Sequence, residues 1–151
     1  MARTLLRTRG RRATSSFVAL PHNILESVEF SELSNSSVRA LLSLFGQYRG
    51  NNNGDFTAAW SVMQRRGWKS KGTLYRAINE LQDKGWILKT RQGSKNRCSL
   101  YAVTWLAIDE CGGKLDVSVS KIPAGTWRKI SLAGPLAGQV SPAVVPIRKT
   151  G

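Results

Sequence analysis

The chain has 151 residues, 23 of them Lys or Arg and 9 Asp or Glu, for a formal net charge of +14. An excess of that size favours a polyanion as partner and repels a second copy of the same chain. No apolar run approaches the ~20 residues of a membrane span, and two cysteines with one histidine cannot supply the four paired ligands of a zinc site, so neither a membrane nor a metal or other cofactor is expected.

Residues 1–16 carry five Arg and no acid, without hydrophobic periodicity. The segment lacks the apolar core of a secretory signal; its Arg and Ser content also suits an organellar transit peptide, but the preferred reading is a flexible basic arm. The folded domain is expected over residues 17–110. Its first stretch, FVALPHNILES, is a short apolar run broken at Pro21, followed by Glu26, Glu29 and Glu32 as a solvated acidic face.

Between Ser34 and Tyr48, Val38, Leu41, Leu42, Phe45 and Tyr48 recur at intervals of three and four, the stripe of an amphipathic helix. Ser34, Ser36 and Ser37 offer N-caps and Gly50 a stop. RGNNNGDF then predicts a sharp turn, its three asparagines serving the turn in preference to phosphate contact, before an extended piece at 55–58. Thr57 is expected to cap a helix with Ala59, Val62 and Met63 inside and Gln64, Arg65 and Arg66 at its carboxyl end, closed by Gly67. Trp68 fills the next turn, and Ser70 caps a third helix running to about Lys84. Steps of about 100° place Leu74, Ala77, Ile78 and Leu81 inward, and Gly72, Arg76, Asn79 and Asp83 outward with Thr73 and Tyr75 flanking. Gly85 ends it. Trp86-Ile87-Leu88 and Leu100 to Trp105 read as two strands, joined by RQGSKNRC with three cations and no acid.

Helix, turn, helix and hairpin in that order predict an α+β winged helix-turn-helix: three helices plus a β-hairpin wing, a flexible basic N-terminal arm, and a Pro/Gly-rich tail. Residues 111–151 are read as a surface extension and flexible tail. Five tryptophans are assigned mainly to packing. Cys98 and Cys111 are read as reduced, structural thiols. With a lone His22, no paired carboxylates in a motif, no phosphate-gripping GK[ST] loop and no nucleophile elbow, no enzyme is expected.

A duplex reader needs cations for phosphates and forked or amide side chains for base edges. Lys71, Thr73, Tyr75, Arg76 and Asn79 are the candidates for base or groove contacts, with Arg76 suited to guanine and Asn79 to adenine. Arg65, Arg66, Lys69, Ser70, Arg91, Lys95 and Arg97 are the candidates for phosphates. The expected partner is double-stranded DNA, with a replication or transcription protein as a second and homodimerisation open. Two alternatives stand beside it: a protein-interaction module that engages a replication or host-defence complex, supported by the Pro-rich tail, and an RNA or single-strand binder, supported by the aromatic content and the Arg-rich arm.

The motifs NNGD, RGWKS, CSLYAVTW and DECGGKLD lie in a stretch, about residues 17–130, that resembles small winged-helix proteins of bacteria, prophages and other mobile elements, often labelled helix-turn-helix or phage replication-like. The resemblance implies DNA binding in a bacterial or phage setting, in replication initiation or transcription regulation, and a cytoplasmic, nucleoid-associated location. The terminal segments fall outside it.

Overall fold

Serine hydroxyls start three of the five α-helices among the described residues. The structure is a computed structural model and describes residues 15–129, so the basic arm up to residue 14 and the tail from residue 130 lie outside the described residues. Helices α1 (His22–Leu25) and α2 (Val28–Ser31) are single turns, α2 capped by Ser27, whose Oγ accepts the Phe30 amide. Helix α3 spans Asn35–Phe45, with Ser34 Oγ accepting the Ser37 amide. Strand β1 (Phe56–Thr57) leads to α4 (Trp60–Arg65), and α5 (Lys71–Asp83) is capped by Ser70, whose Oγ accepts the Thr73 amide. Strands β2 (Ile87–Arg91) and β3 (Leu100–Val103) form the hairpin, and a 3-10 turn follows at Cys111–Gly113. The chain is thus α+β. No described helix is long and apolar enough to cross a membrane.

The sheet is antiparallel in the order β1-β3-β2, with Phe56 opposite Tyr101 and Ile87 opposite Val103. A register shift between Lys89 and Arg91 turns Thr90 into the interior, where its Oγ1 donates to the Gly54 carbonyl at 2.6 Å. The free side of β1 is closed by an amide: Gln47 Nε2 donates to the Thr57 carbonyl and Gln47 Oε1 accepts the Thr57 amide, at 2.9 and 3.0 Å. The edge strand therefore has its backbone satisfied without a further strand.

Four local expectations are corrected. Thr57 does not cap α4; it sits in β1, its hydroxyl accepting the Ala59 amide just before the helix. Helix α3 stops at Gly46, not Gly50, and Leu42 is exposed while Leu44 is fully buried. The buried positions Ser37, Ala40, Leu41, Leu44 and Phe45 follow the helical period as one face, and Leu42 lies about 100° round from Leu41. Of the three asparagines, Asn53 is wholly buried: its Nδ2 donates to the Val103, Leu106 and Ala107 carbonyls and its Oδ1 accepts the Val103 amide, which locks the exit of β3. No phosphate can reach it.

The fourth concerns extent, because the packed body runs past residue 110. Gly125 donates its amide to the Thr104 carbonyl, Thr126 Oγ1 donates to the Gly85 carbonyl, and Trp127 is buried, stacked on Trp86 at 5.2 Å between ring centroids. Gly85 permits this crossing: its φ is +78°, and a Cβ there would collide with the Thr126 backbone. The aromatic cluster continues from Trp86 to Trp105 and Phe30, and from Trp105 to Phe45. Among the described residues, the Trp105 indole N–H inside this cluster is the one buried side-chain polar atom without a hydrogen-bond partner.

Helices α3 and α5 are joined by Glu80. Its carboxylate accepts Ser34 Oγ and Ser37 Oγ at 2.8 Å each, the Ser34 amide at 3.1 Å and Lys84 Nζ at 3.1 Å. Partial burial pushes its pKa up, but the bonds from Ser34, Ser37 and Lys84 outweigh that and hold it at about 2. This stability is full above the ordinary carboxyl range near 4.5 and is lost as pH falls from there through about 2.

Two outcomes are expected in urea unfolding. Glu80→Gln should cost roughly 2 kcal/mol at pH 7 and progressively less towards pH 2; equal acid sensitivity of variant and parent would contradict the assignment. Trp127→Ala should cost about 3 kcal/mol, as for other buried aromatic truncations, and a loss below about 0.5 kcal/mol would mean that residues 111–129 are peripheral.

Candidate nucleic-acid interface

Helix α4 ends in Arg65 and Arg66, both exposed, and Gly67, at φ +92°, reverses the chain. The following Trp68 is buried and donates Nε1–H to Ser43 Oγ at 3.2 Å, so the turn between α4 and α5 is anchored on α3. Arg39, also on α3, lies over the Trp68 ring at 4.8 Å and donates Nη2–H to the Arg66 carbonyl at 3.4 Å. Sequence reading missed Arg39, since nothing along the chain connects α3 with a turn almost thirty residues later.

After that turn, Lys69 and Ser70 are exposed. The Ser70 hydroxyl already accepts the Thr73 amide, and the same oxygen can still donate to a phosphate. On α5, Lys71, Tyr75 and Arg76 are exposed, whereas Thr73 and Asn79 are half-buried at its flanks. Arg76 is folded back along the helix, its Nη2 donating to Thr73 Oγ1 at 3.4 Å. The inward set Leu74, Ala77, Ile78 and Leu81 is buried as the period requires.

In the hairpin, Ser94 and Arg97 exchange backbone hydrogen bonds around Lys95 and Asn96, which presents Lys95 and Arg97 to solvent. Arg91 does not join them. Its Nε and Nη2 donate across the hairpin to the Cys98 carbonyl at 3.3 and 2.9 Å, giving it a structural role in holding the two strands. An acid that sequence reading placed elsewhere also arrives: Asp116 accepts the Gln92 amide at 2.9 Å, and its own amide donates to the Thr90 carbonyl. The loop has no acid in its sequence, but the fold brings one to its base.

The ion pairs among the described residues are His22 with Glu26, Lys84 with Glu80, Lys114 with Asp55, and Lys129 with Glu32. Arg65, Arg66, Lys69, Lys71, Arg76, Lys95 and Arg97 are in none of them. None of these cations is therefore held by an acid of the described residues, and their attraction for an anionic ligand is weakened chiefly by salt. Tyr75 on α5 and Tyr101 on β3 line one cleft, so the hairpin strands stand beside the exposed side of α5. Trp60, assigned to packing from sequence, is half-buried at the same cleft, with Lys71 Nζ 5.9 Å from its ring centroid.

No protein-family model matches this chain, and no curated protein or solved structure matches it.

The two free thiols report separately on this region. Cys98 is exposed beside the hairpin turn, whereas burial, with Asp55 and Asp109 nearby, raises the pKa of Cys111 despite Lys114. A thiolate-specific reagent at pH 7 should therefore label Cys98 first. Peptide mapping of partly labelled protein checks this, and preferential labelling of Cys111 would contradict the hairpin geometry.

Proposed function

We propose that this chain is a winged helix-turn-helix protein that binds double-stranded DNA, in the setting of a bacterial prophage or plasmid, at a replication origin or an operator. The observation that carries the reading is the set of unpaired cations along the end of α4, the first turns of α5 and the hairpin tip. Supporting it are the order α3, β1, α4, α5, β2, β3 and the sheet order β1-β3-β2, an α+β arrangement compatible with a helix-turn-helix followed by a hairpin. The resemblance of the sequence to winged-helix proteins of mobile elements supports the same reading and supplies its biological setting. The work is binding without catalysis, in the cytoplasm at the nucleoid.

In this reading α5 enters the major groove, with Arg76 gripping a guanine edge and Tyr75 and Lys71 in the groove beside it. Arg65, Arg66, Lys69, Ser70, Lys95 and Arg97 hold phosphates, joined by Arg39 from α3. Thr73 orients Arg76 through their hydrogen bond, and Asn79 serves at the flank. Arg91 stiffens the hairpin instead of touching DNA.

Anisotropy titrations of duplex DNA, single-stranded DNA and RNA at two salt concentrations test this. Duplex should bind best, with log K falling against log salt by about 0.9 for each phosphate neutralised. Arg76→Ala should cost about 1–3 kcal/mol on the preferred site and relax sequence choice, while Lys95→Ala should weaken all sequences alike and lower the salt slope by about 1. Affinity indifferent to salt, or RNA bound as tightly as duplex, would sink the proposal.

A further inference from the structure

The cleft beside α5 is more than a seam between elements. It has a volume of about 430 Å³, and Trp60, Tyr75 and Tyr101 wall it over a floor of Leu74 and Ile78. The rings are graded in depth: Tyr101 is buried, Trp60 half-buried, and Tyr75 69% exposed. An exposed aromatic at an open apolar cleft leaves surface in water that a ligand would cover. The chemistry of the rim narrows the ligand. Lys71 is the charged residue among those lining the cleft, no acid lines it, and its ammonium lies 5.9 Å from the Trp60 ring centroid. A flat, π-faced group carrying an adjacent negative charge matches these walls and this rim. A base inside an intact duplex does not, because its faces are covered by its neighbours.

We propose that this cleft receives a single unstacked nucleobase of the bound strand, with Trp60, Tyr75 and Tyr101 against the ring and Lys71 on the adjoining phosphate. The inference rests on the reading that α5 faces DNA and adds to it a preference for duplex that is locally opened. Arg76 and Tyr75 are successive residues of α5 and point about 100° apart, so groove reading by Arg76 and base capture by the cleft fall on adjoining faces of the exposed part of one helix. The protein would thereby recognise a site and hold one of its bases out of the stack.

The experiment compares three labelled duplexes of one sequence: fully paired, with one unpaired adenine, and with an abasic residue at the unpaired position. Stacking on aromatic side chains is worth enough to expect roughly tenfold tighter binding of the adenine bulge than of paired duplex. The abasic bulge, equally flexible but without a ring, should bind like paired DNA. Tyr75→Ala should abolish the preference and Tyr75→Phe should keep it; because Tyr75 is largely exposed, neither change disturbs the core. Equal binding of bulged and paired duplex, or a preference that survives the abasic residue or Tyr75→Ala, overturns base capture and leaves groove binding standing. Failure to bind any of the three at low salt overturns groove binding and the inference with it.

Discussion

The carboxylate of Glu80, lodged at the first turn of α3, sets how α5 is carried by the rest of the molecule. It takes two serine hydroxyls, a backbone amide and a lysine, and it stands where the positive end of the α3 dipole lies. Apolar packing alone would leave α5 some freedom to roll about its axis, because hydrophobic contact is not directional. Hydrogen bonds with defined geometry remove that freedom. Leu74, Ala77, Ile78 and Leu81 then face inward, Thr73 lies half-buried on the flank, and Lys71, Tyr75 and Arg76 emerge. The turn before α5 is fixed just as firmly by Trp68, wedged against Ser43 and covered by Arg39.

Charge follows from the same arrangement. With 23 basic and 9 acidic residues, most cations must go unpaired, but where they do so is a choice of the fold. Glu80, Glu32, Asp55, Asp109 and Asp116 are engaged in contacts that fasten elements together: helix to helix, residue 129 to α2's end, the 3-10 turn to the start of β1, Asp109 to the Asn53 amide in the turn before β1, and the Asp116 segment to the hairpin base. Five of the nine acids are thereby drawn into joints. The cations at the α4–α5 turn and the hairpin tip have no such neighbours, and their summed field points at solvent.

The segment after residue 110 changes what counts as the domain. A small body of three main helices and a short sheet buries limited apolar surface, and Trp127 adds one large aromatic to its core. Thr126 crosses at Gly85, in the turn between α5 and β2, while Asp116 ties to the foot of the hairpin. The same short segment therefore braces both elements that flank the basic surface, which keeps their relative placement from depending on the sheet alone.

Much of this was legible along the chain. Periodicity marked α3, α5 and the inner residues of α5, glycines marked the stops at Gly67 and Gly85, and Ser34 and Ser70 proved to be the caps they resembled, because these signals are local: each depends on backbone geometry within a few residues. Arg65, Arg66, Lys69, Lys71, Tyr75, Arg76, Lys95 and Arg97 were legible as exposed for the same reason. What the sequence determined by itself was the main inventory, namely α3, α4, α5 and the hairpin strands, their order and the positive excess; its patterning marked three helices where the described residues hold five, because the single turns α1 and α2 are too short to show a period. Only tertiary structure decided which partners each residue would meet: that Arg91 would bridge the hairpin, that Asn53 would be sealed inside, that Asp116 and Trp127 would return to the core, and that Trp60, Tyr75 and Tyr101 would share one cleft. Those contacts join residues up to fifty or so positions apart, and no local preference encodes them, since they arise when buried donors, acceptors and rings must all be satisfied at once.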